Sequence, residues 1–416
     1  MLFPPLQIAP VPAVRAAAFL DSIGANSAIS LRGEQLETTI EHARYLGLRW
    51  FRGGYEGGPA MADLIRLHRE TGARLSWGLG SGGADLPRLI RTGKELAKVG
   101  ALLAFEGPNE PNNWGITYGG EKGGRDGSWR AVAALQRDLY RAVHGDPALR
   151  GVPVWGVSEC GAESDDVGLQ FLRAPDGTRY ADFANVHNYV YHPNSPGVED
   201  NKTWNAADPT SACRVDGLYG EVGRTWRKHY PGYAEKDLLT LPRVTTETGC
   251  AIEGPVSEEI HARNLLSLYL DQFKRGWSHT AVYLLRDRVD EGGNQRFGFY
   301  RPDDAPRPAA RYLHNLTTIL ADKGEGSKTR RLAYAIPNEP TTVHDLLLQK
   351  ADGTFALVVW SERVQGTNEV TVRFAKPQVG LGLYDPTVGT EATARLGKTD
   401  KVSLSLTDHP VVIEIP

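Results

Sequence analysis

The sequence is poor in sulfur, with three cysteines (Cys160, Cys213 and Cys250) and two methionines in 416 residues. Three scattered thiols are too few for a disulfide framework or a thiolate metal site. At most one bridge can form, and buried or free thiols are the expectation. The chain also lacks any stretch of the roughly 18–20 apolar residues that span a bilayer, so no membrane insertion is expected. An excess of charge of one sign is missing too: 47 Lys and Arg face 50 Asp and Glu, for a formal net charge of -3. Such a balance offers no footprint for nucleic acid or an anionic membrane surface. The opening MLFPPLQIAPVPAVRAAAFL has no charged start before an unbroken apolar core, so no signal peptide is expected. Placement outside or inside the cell stays open, as does the oligomeric state. The first apolar run continues into DSIGANSAIS rather than a Gly-rich phosphate turn, and no cofactor or metal is implied.

Aromatic side chains with a polar handle are plentiful, at nine Trp and 16 Tyr; they suit sugar stacking as well as core filling. From about residue 17, eight apolar runs alternate with amphipathic stretches. The runs are AAFLDSIGANS, LRWFRGG, ARLSWGLG, ALLAFEGPNE, VPVWGVSE, ADFANVHNYV, LPRVTTETG and HTAVYLLRD. Between them, segments such as EQLETTIEHARYLG and PAMADLIRLHRETG space apolar residues three to four apart and end in Gly, which suits a left-handed cap. This alternation predicts a (β/α)₈ barrel over residues 1–324. Beyond it, VHDLLLQKADGTFALVVWSE, NEVTVRFA, KVSLSLTD and PVVIEIP alternate with period two between turn signals. They predict a small antiparallel β-sandwich over 325–416.

The tetrapeptide PNEP occurs twice, around Glu110 and around Glu339. Barrel enzymes carry their chemistry at the C-terminal ends of the strands. Glu110 follows the fourth run, and a long Gly-rich, aromatic loop follows it. Glu339 comes after all eight runs are spent and is expected in a surface turn. Glycosidic cleavage usually needs two carboxyls with opposed duties. Glu247, closing the seventh run, is the expected partner of Glu110 across the barrel mouth. Glu159, closing the fifth, is the competing carboxylate. Asp21 and Glu106, inside the first and fourth runs, are expected to be buried structural groups, and Asp287 follows the eighth.

With these residues in place, the sequence resembles the glycoside hydrolases of clan A, retaining (β/α)₈ enzymes. The likeness rests on NEP closing the fourth strand, an isolated Glu closing the seventh and the Arg of WFRGG closing the second. The appended sandwich is similar to that of the clan families holding β-xylosidases and several bacterial endo-glycosidases. The resemblance implies that Glu110 is the acid/base, Glu247 the nucleophile and Asn109 the partner of the sugar 2-hydroxyl. It further implies that Arg52 keeps Glu247 ionised, and that His187 and Tyr189 contact the nucleophile or the sugar. Glu110 would then need a raised pKa to hold its proton. Many clan members end the eighth strand with Trp; here the run is AVYLLRDR, with Tyr283. The stacking surface must then come from elsewhere: Trp114, in the loop beyond Glu110, is the leading choice, with Trp77 and Trp155 behind it. Long loops after the fourth and sixth runs, the latter at 191–216 with Trp204, suit a cleft or a walled pocket.

The resulting expectation is endo-acting cleavage of a β-linked polysaccharide, with an exo-acting β-glycosidase as the alternative. A non-catalytic carbohydrate-binding protein on a hydrolase fold is the alternative of another class.

Overall fold

The computed structural model describes residues 8–160, 172–174, 176–190, 199–218, 235–322, 324 and 328–416, with the backbone alone at 159, 160, 235 and 237. The barrel strands are β1 (Ile23–Asn26), β2 (Trp50–Gly53), β3 (Arg74–Leu79), β4 (Leu102–Pro108), β5 (Val154–Trp155, continued by Glu159–Cys160), β6 (Ala184–His187), β7 (Arg243–Thr248) and β8 (Trp277–Val282). All pair in parallel. β5 is divided: its first piece pairs with β4 and its second with β6. The ladder therefore runs almost completely round the ring.

The helices pack outside as their periodicity predicts. Leu36–Leu46 and Met61–Thr71 end on Gly47 and Gly72, both left-handed. Glu258–Lys274 starts at Ser257, whose hydroxyl accepts from the Ile260 N–H, and Pro308 opens Pro308–Ile319 where its missing N–H costs nothing. β4 is buried along its whole length, as expected of a strand covered on both faces. Trp50, Leu103, Trp155, Val244 and Ala281 fill the barrel interior, so the barrel is a packed core and chemistry is confined to its rim. One glycine is dictated by that filling. A Cβ on Gly24 would lie 2.3 Å from the Trp50 ring.

The first run divides differently from expectation. Ala16–Ser22 is a helix and only Ile23–Asn26 is strand, so Asp21 is exposed on a helix rather than buried in a strand. Three consecutive alanines favour the helix, and a short apolar run cannot distinguish the two by periodicity.

The sandwich has a four-stranded and a six-stranded antiparallel-rich sheet around Leu347, Leu357, Val372, Val402 and Ile413. It also takes in residues 10–15, far ahead of the other sandwich strands in the sequence. Pro10–Pro12 pairs with Arg331–Ala335 in one sheet, and Val14–Arg15 pairs with Val343–Gln349 in the other. Trp204 stacks on His344 at 3.8 Å, which places it where barrel and sandwich meet and not at the mouth. There, too, the buried Asp271 of Glu258–Lys274 accepts from Trp360 Nε1 at 2.8 Å and Thr203 Oγ1 at 2.5 Å.

Burial pushes the Asp271 carboxyl up to about 7, against the pull of His344, Thr203 and Trp360. Its folded-state pKa is thus above its unfolded one, and folding favours the protonated form. The contribution is fully present below pH about 4 and is lost as pH rises through about 7, a loss on the order of 4 kcal/mol. Asp271→Asn, which cannot ionise, is expected to show a much smaller change in urea midpoint between pH 4 and 7 than the parent. An unchanged pH dependence would mean that Asp271 is already ionised in the fold.

Candidate active site

The ends of β2, β4, β6 and β7 bring six of the expected side chains together: Arg52, Asn109, Glu110, His187, Tyr189 and Glu247. Arg52, nearly inaccessible, is the hub. Its Nη1 donates to Glu247 Oε2 at 2.6 Å, and its Nη2 donates to Asn109 Oδ1 at 2.6 Å and Glu106 Oε1 at 2.7 Å. Glu106 is buried and held by this guanidinium, as expected for a structural carboxylate. Burial works against the Arg52 charge, but Glu106 and Glu247 outweigh it and hold the guanidinium more firmly protonated than usual. Tyr55 lies under it, 4.2 Å from the guanidinium carbon to the ring centroid.

Glu247 accepts a second hydrogen bond at Oε1, from Tyr189 OH at 2.6 Å. Opposite, Glu110 Oε1 lies 2.7 Å from His187 Nδ1, and its Oε2 accepts from Asn113 Nδ2 at 2.9 Å. Glu110 has a φ of 38°, an uncommon conformation for a non-glycine residue. It is pinned by its own N–H on the Ser158 carbonyl and by its carbonyl accepting from the N–H groups of Asn113 and Trp114. Strain of this kind concentrates where a side chain must be aimed. Glu110, His187 and Glu247 each present one ligand-type atom within 4.8 Å of the other two. A metal held by this trio would have to compete with the Arg52 and Tyr189 donors already on Glu247.

The two carboxyls are shifted in opposite directions. Burial raises Glu247, the Glu110 charge adds to that, and His187, Arg52 and Tyr189 oppose it; the net direction is up. Burial also raises Glu110, but the hydrogen bond and charge of His187, with Asn113 and Arg52 behind, carry it below its ordinary value. This is the reverse of the division expected from the sequence. The cause is His187, whose Nδ1 meets Glu110 directly and Glu247 only at 3.7 Å.

The carboxyl pair opens on a groove of about 780 Å³ lined by Tyr55, Trp77, Asn109, Trp114 and Tyr283 together with the glycine-rich turns 54–58 and 78–83. Trp114 is half exposed beside Glu110. Trp77 is buried but reaches the groove wall. Trp155 is excluded as a stacking surface: it is 1% exposed and packs edge-on to Trp50 inside the barrel. Phe297, not among the expected site residues, packs edge-on against both Tyr189 and Tyr283.

Asp287 is tied to Arg307 at 2.6 Å as a buried structural pair. Glu339 lies exposed between two sandwich strands. The side chains of Glu159 and Cys160 and residues 191–198 of the sixth loop lie outside the described residues. Cys213 and Cys250 are buried free thiols, each pushed up to about 12 by burial. Asn26, Ser158, Asn185 and Thr246 complete the polar network beneath the carboxyls.

Three solved structures share the fold of the chain. One is a family 39 glycoside hydrolase from the gut symbiont Bacteroides cellulosilyticus WH2, with a TM-score of 0.63 and 13% identity over 98% of this chain and 83% of the other. Another is the GH51 arabinofuranosidase from Xanthomonas axonopodis pv. citri (TM-score 0.58, 11% identity, 97% and 98% covered). The third is CelM2, a bifunctional glucanase-xylanase from a metagenome library (TM-score 0.57, 12% identity, 98% and 97% covered). At these identities the likeness is one of fold. No protein-family model matches the chain, and no curated protein matches its sequence.

Proposed function

We propose that the protein is a retaining glycoside hydrolase that cleaves a β-linked, essentially neutral polysaccharide from within the chain. The observation that carries this reading is the approach of Glu110 and Glu247, with carboxylate oxygens within 4.8 Å across the barrel mouth. Direct attack on the sugar suits carboxyls about 5–5.5 Å apart, whereas an inverting enzyme needs about 6.5–9.5 Å to seat a water between them. The architecture shared with a family 39 glycoside hydrolase and a GH51 arabinofuranosidase supports the same class.

In the first step a Glu247 oxygen bonds to the anomeric carbon. The bond from that carbon to the leaving oxygen breaks, its electron pair goes to the oxygen, and Glu110 donates the proton that neutralises it. Arg52 and Tyr189 hold the attacking carboxylate in place with two charge-complementary hydrogen bonds. In the second step water loses a proton to Glu110 and attacks the same carbon from the side the leaving group vacated. Glu247 departs, and the product keeps the β configuration. Asn109, fixed by Arg52 and by its own donation to Ser81 Oγ at 3.0 Å, is placed to meet the 2-hydroxyl. Trp114 offers a face for a sugar ring.

The size of the groove favours internal cleavage, and the charge of its lining favours a neutral sugar. The groove volume lies high in the range of about 300–1,000 Å³ for small-molecule sites, which leaves room for more than one ring. Arg32 and Arg88 among its lining residues are set against Glu56, Asp85 and Glu291, so no excess of cations selects an acidic sugar.

The test is hydrolysis of a polysaccharide panel with the first products followed by proton NMR and by size. β-Anomers in a mixture of oligomer lengths are expected. α-Anomers appearing first would overturn the retaining mechanism, and monosaccharide alone from the outset would overturn internal cleavage.

A further inference from the structure

Beneath the carboxyl pair, Thr246 occupies a position that neither of the two chemical steps uses. Its hydroxyl lies 2.9 Å from Glu106 Oε1, 3.0 Å from Asn185 Nδ2, 3.1 Å from Asn185 Oδ1 and 3.3 Å from His187 Nε2. A hydroxyl has one hydrogen to donate and two lone pairs to accept with. Glu106 is an acceptor clasped by Arg52 and is the nearest and strongest taker of that hydrogen. Asn185 Oδ1, uncharged, farther away at 3.1 Å and also accepting from the Thr246 backbone N–H at 3.2 Å, is the weaker competitor. The lone pairs of Thr246 Oγ1 are then left for the Asn185 amide and for His187 Nε2, so Nε2 must carry a hydrogen.

We infer that Thr246 is a positioning residue for the proposed acid step: by accepting from His187 Nε2 it fixes which of the two ring nitrogens gives up its proton, and so returns that proton to Glu110. An imidazole whose Nε2–H is anchored can be neutral only with Nδ1 bare. Nδ1 lies 2.7 Å from Glu110 Oε1, and a hydrogen bond at that distance needs a proton. When His187 is neutral, that proton belongs to Glu110. A sugar filling the groove displaces water, which disfavours a separated imidazolium and carboxylate and favours the neutral pair. The proton then passes from Glu110 to the leaving oxygen as the carbon–oxygen bond breaks, and Glu247 supplies the new bond to carbon. Without the Thr246 acceptor, the ring hydrogen can settle on Nδ1 and donate to a Glu110 carboxylate that has nothing to give. The charged and titratable groups facing the pair are Glu247 and Arg52 across the mouth, Tyr189 on Glu247, and Glu106 below.

The inference rests on the assignment of Glu110 as the acid, and the experiment separates the two. Thr246→Val, Thr246→Ala, Thr246→Ser and Glu110→Ala are compared in the full chain. The substrates are a β-oligosaccharide of the sugar identified by the panel and its 2,4-dinitrophenyl β-glycoside, whose leaving group needs no proton. Thr246→Val is expected to lower kcat/KM on the oligosaccharide by roughly 10–100-fold, within the share that proton transfer contributes. On the dinitrophenyl glycoside it should stay within about threefold, and the alkaline limb of the pH profile should move to lower pH because Glu110 holds its proton less well. Thr246→Ala is read in the same way should the valine fit poorly, and Thr246→Ser should restore both readouts. Equal losses on the two substrates, or an alkaline limb that does not move, would overturn the role of Thr246. If Glu110→Ala also fails to spare the dinitrophenyl glycoside, the acid assignment itself falls.

Discussion

Glu247→Gly is expected to lower hydrolysis by about four orders of magnitude or more, the scale on which enzymes lose rate when a covalent nucleophile is removed. The fold should survive the change. Arg52 keeps Glu106 as its counterion at 2.7 Å, so deleting Glu247 leaves no buried charge alone, and the vacated space opens on the groove. Azide should enter that space and attack an activated β-glycoside from the face opposite its leaving group. The expected product is the α-glycosyl azide, formed without release of free sugar. Chromatography of the products with and without azide decides the matter. Turnover near the parent's, or a rescued product of β configuration, would remove Glu247 from the nucleophile's place.

Arg52→Met should have the largest effect on stability, a loss of about 3–5 kcal/mol, because it strands two buried carboxylates at once. Glu106 loses both prongs of its guanidinium fork and Glu247 loses its 2.6 Å partner. Arg52→Lys should recover only part of the loss, since an ammonium cannot reproduce a fork that serves Glu106, Glu247 and Asn109 together. Urea unfolding at neutral pH measures both. A methionine variant as stable as the parent would mean that the two acids are neutral in the fold and that Arg52 orders nothing.

The residues that could be placed from the sequence were those tied to a strand end. Arg52, Glu110, His187, Tyr189 and Glu247 each close an apolar run, and a parallel barrel delivers such positions to one rim. The barrel itself was legible because long amphipathic helices with glycine caps repeat between the strands. Asp21 was misplaced because AAAFLDS and IGAN read as one apolar run, although the chain changes from helix to strand between them. Thr246 and Asn185 carried no distinguishing mark; small polar residues in strands are common, and their meaning depends on partners far along the chain. The protonation order was hidden for the same reason. The pull of His187 on Glu110 is a matter of one contact between residues 77 apart in sequence.

Residues 10–15 lace into the sandwich, one short strand to each sheet. Residues 10–15 and 331–415 are therefore clasped in a single module, and the barrel hangs between them like a loop closed by a buckle. Excising the carboxyl-terminal module at its obvious seam would leave that early segment without its neighbours. An exchange of modules between related barrels would have to carry both halves of the buckle.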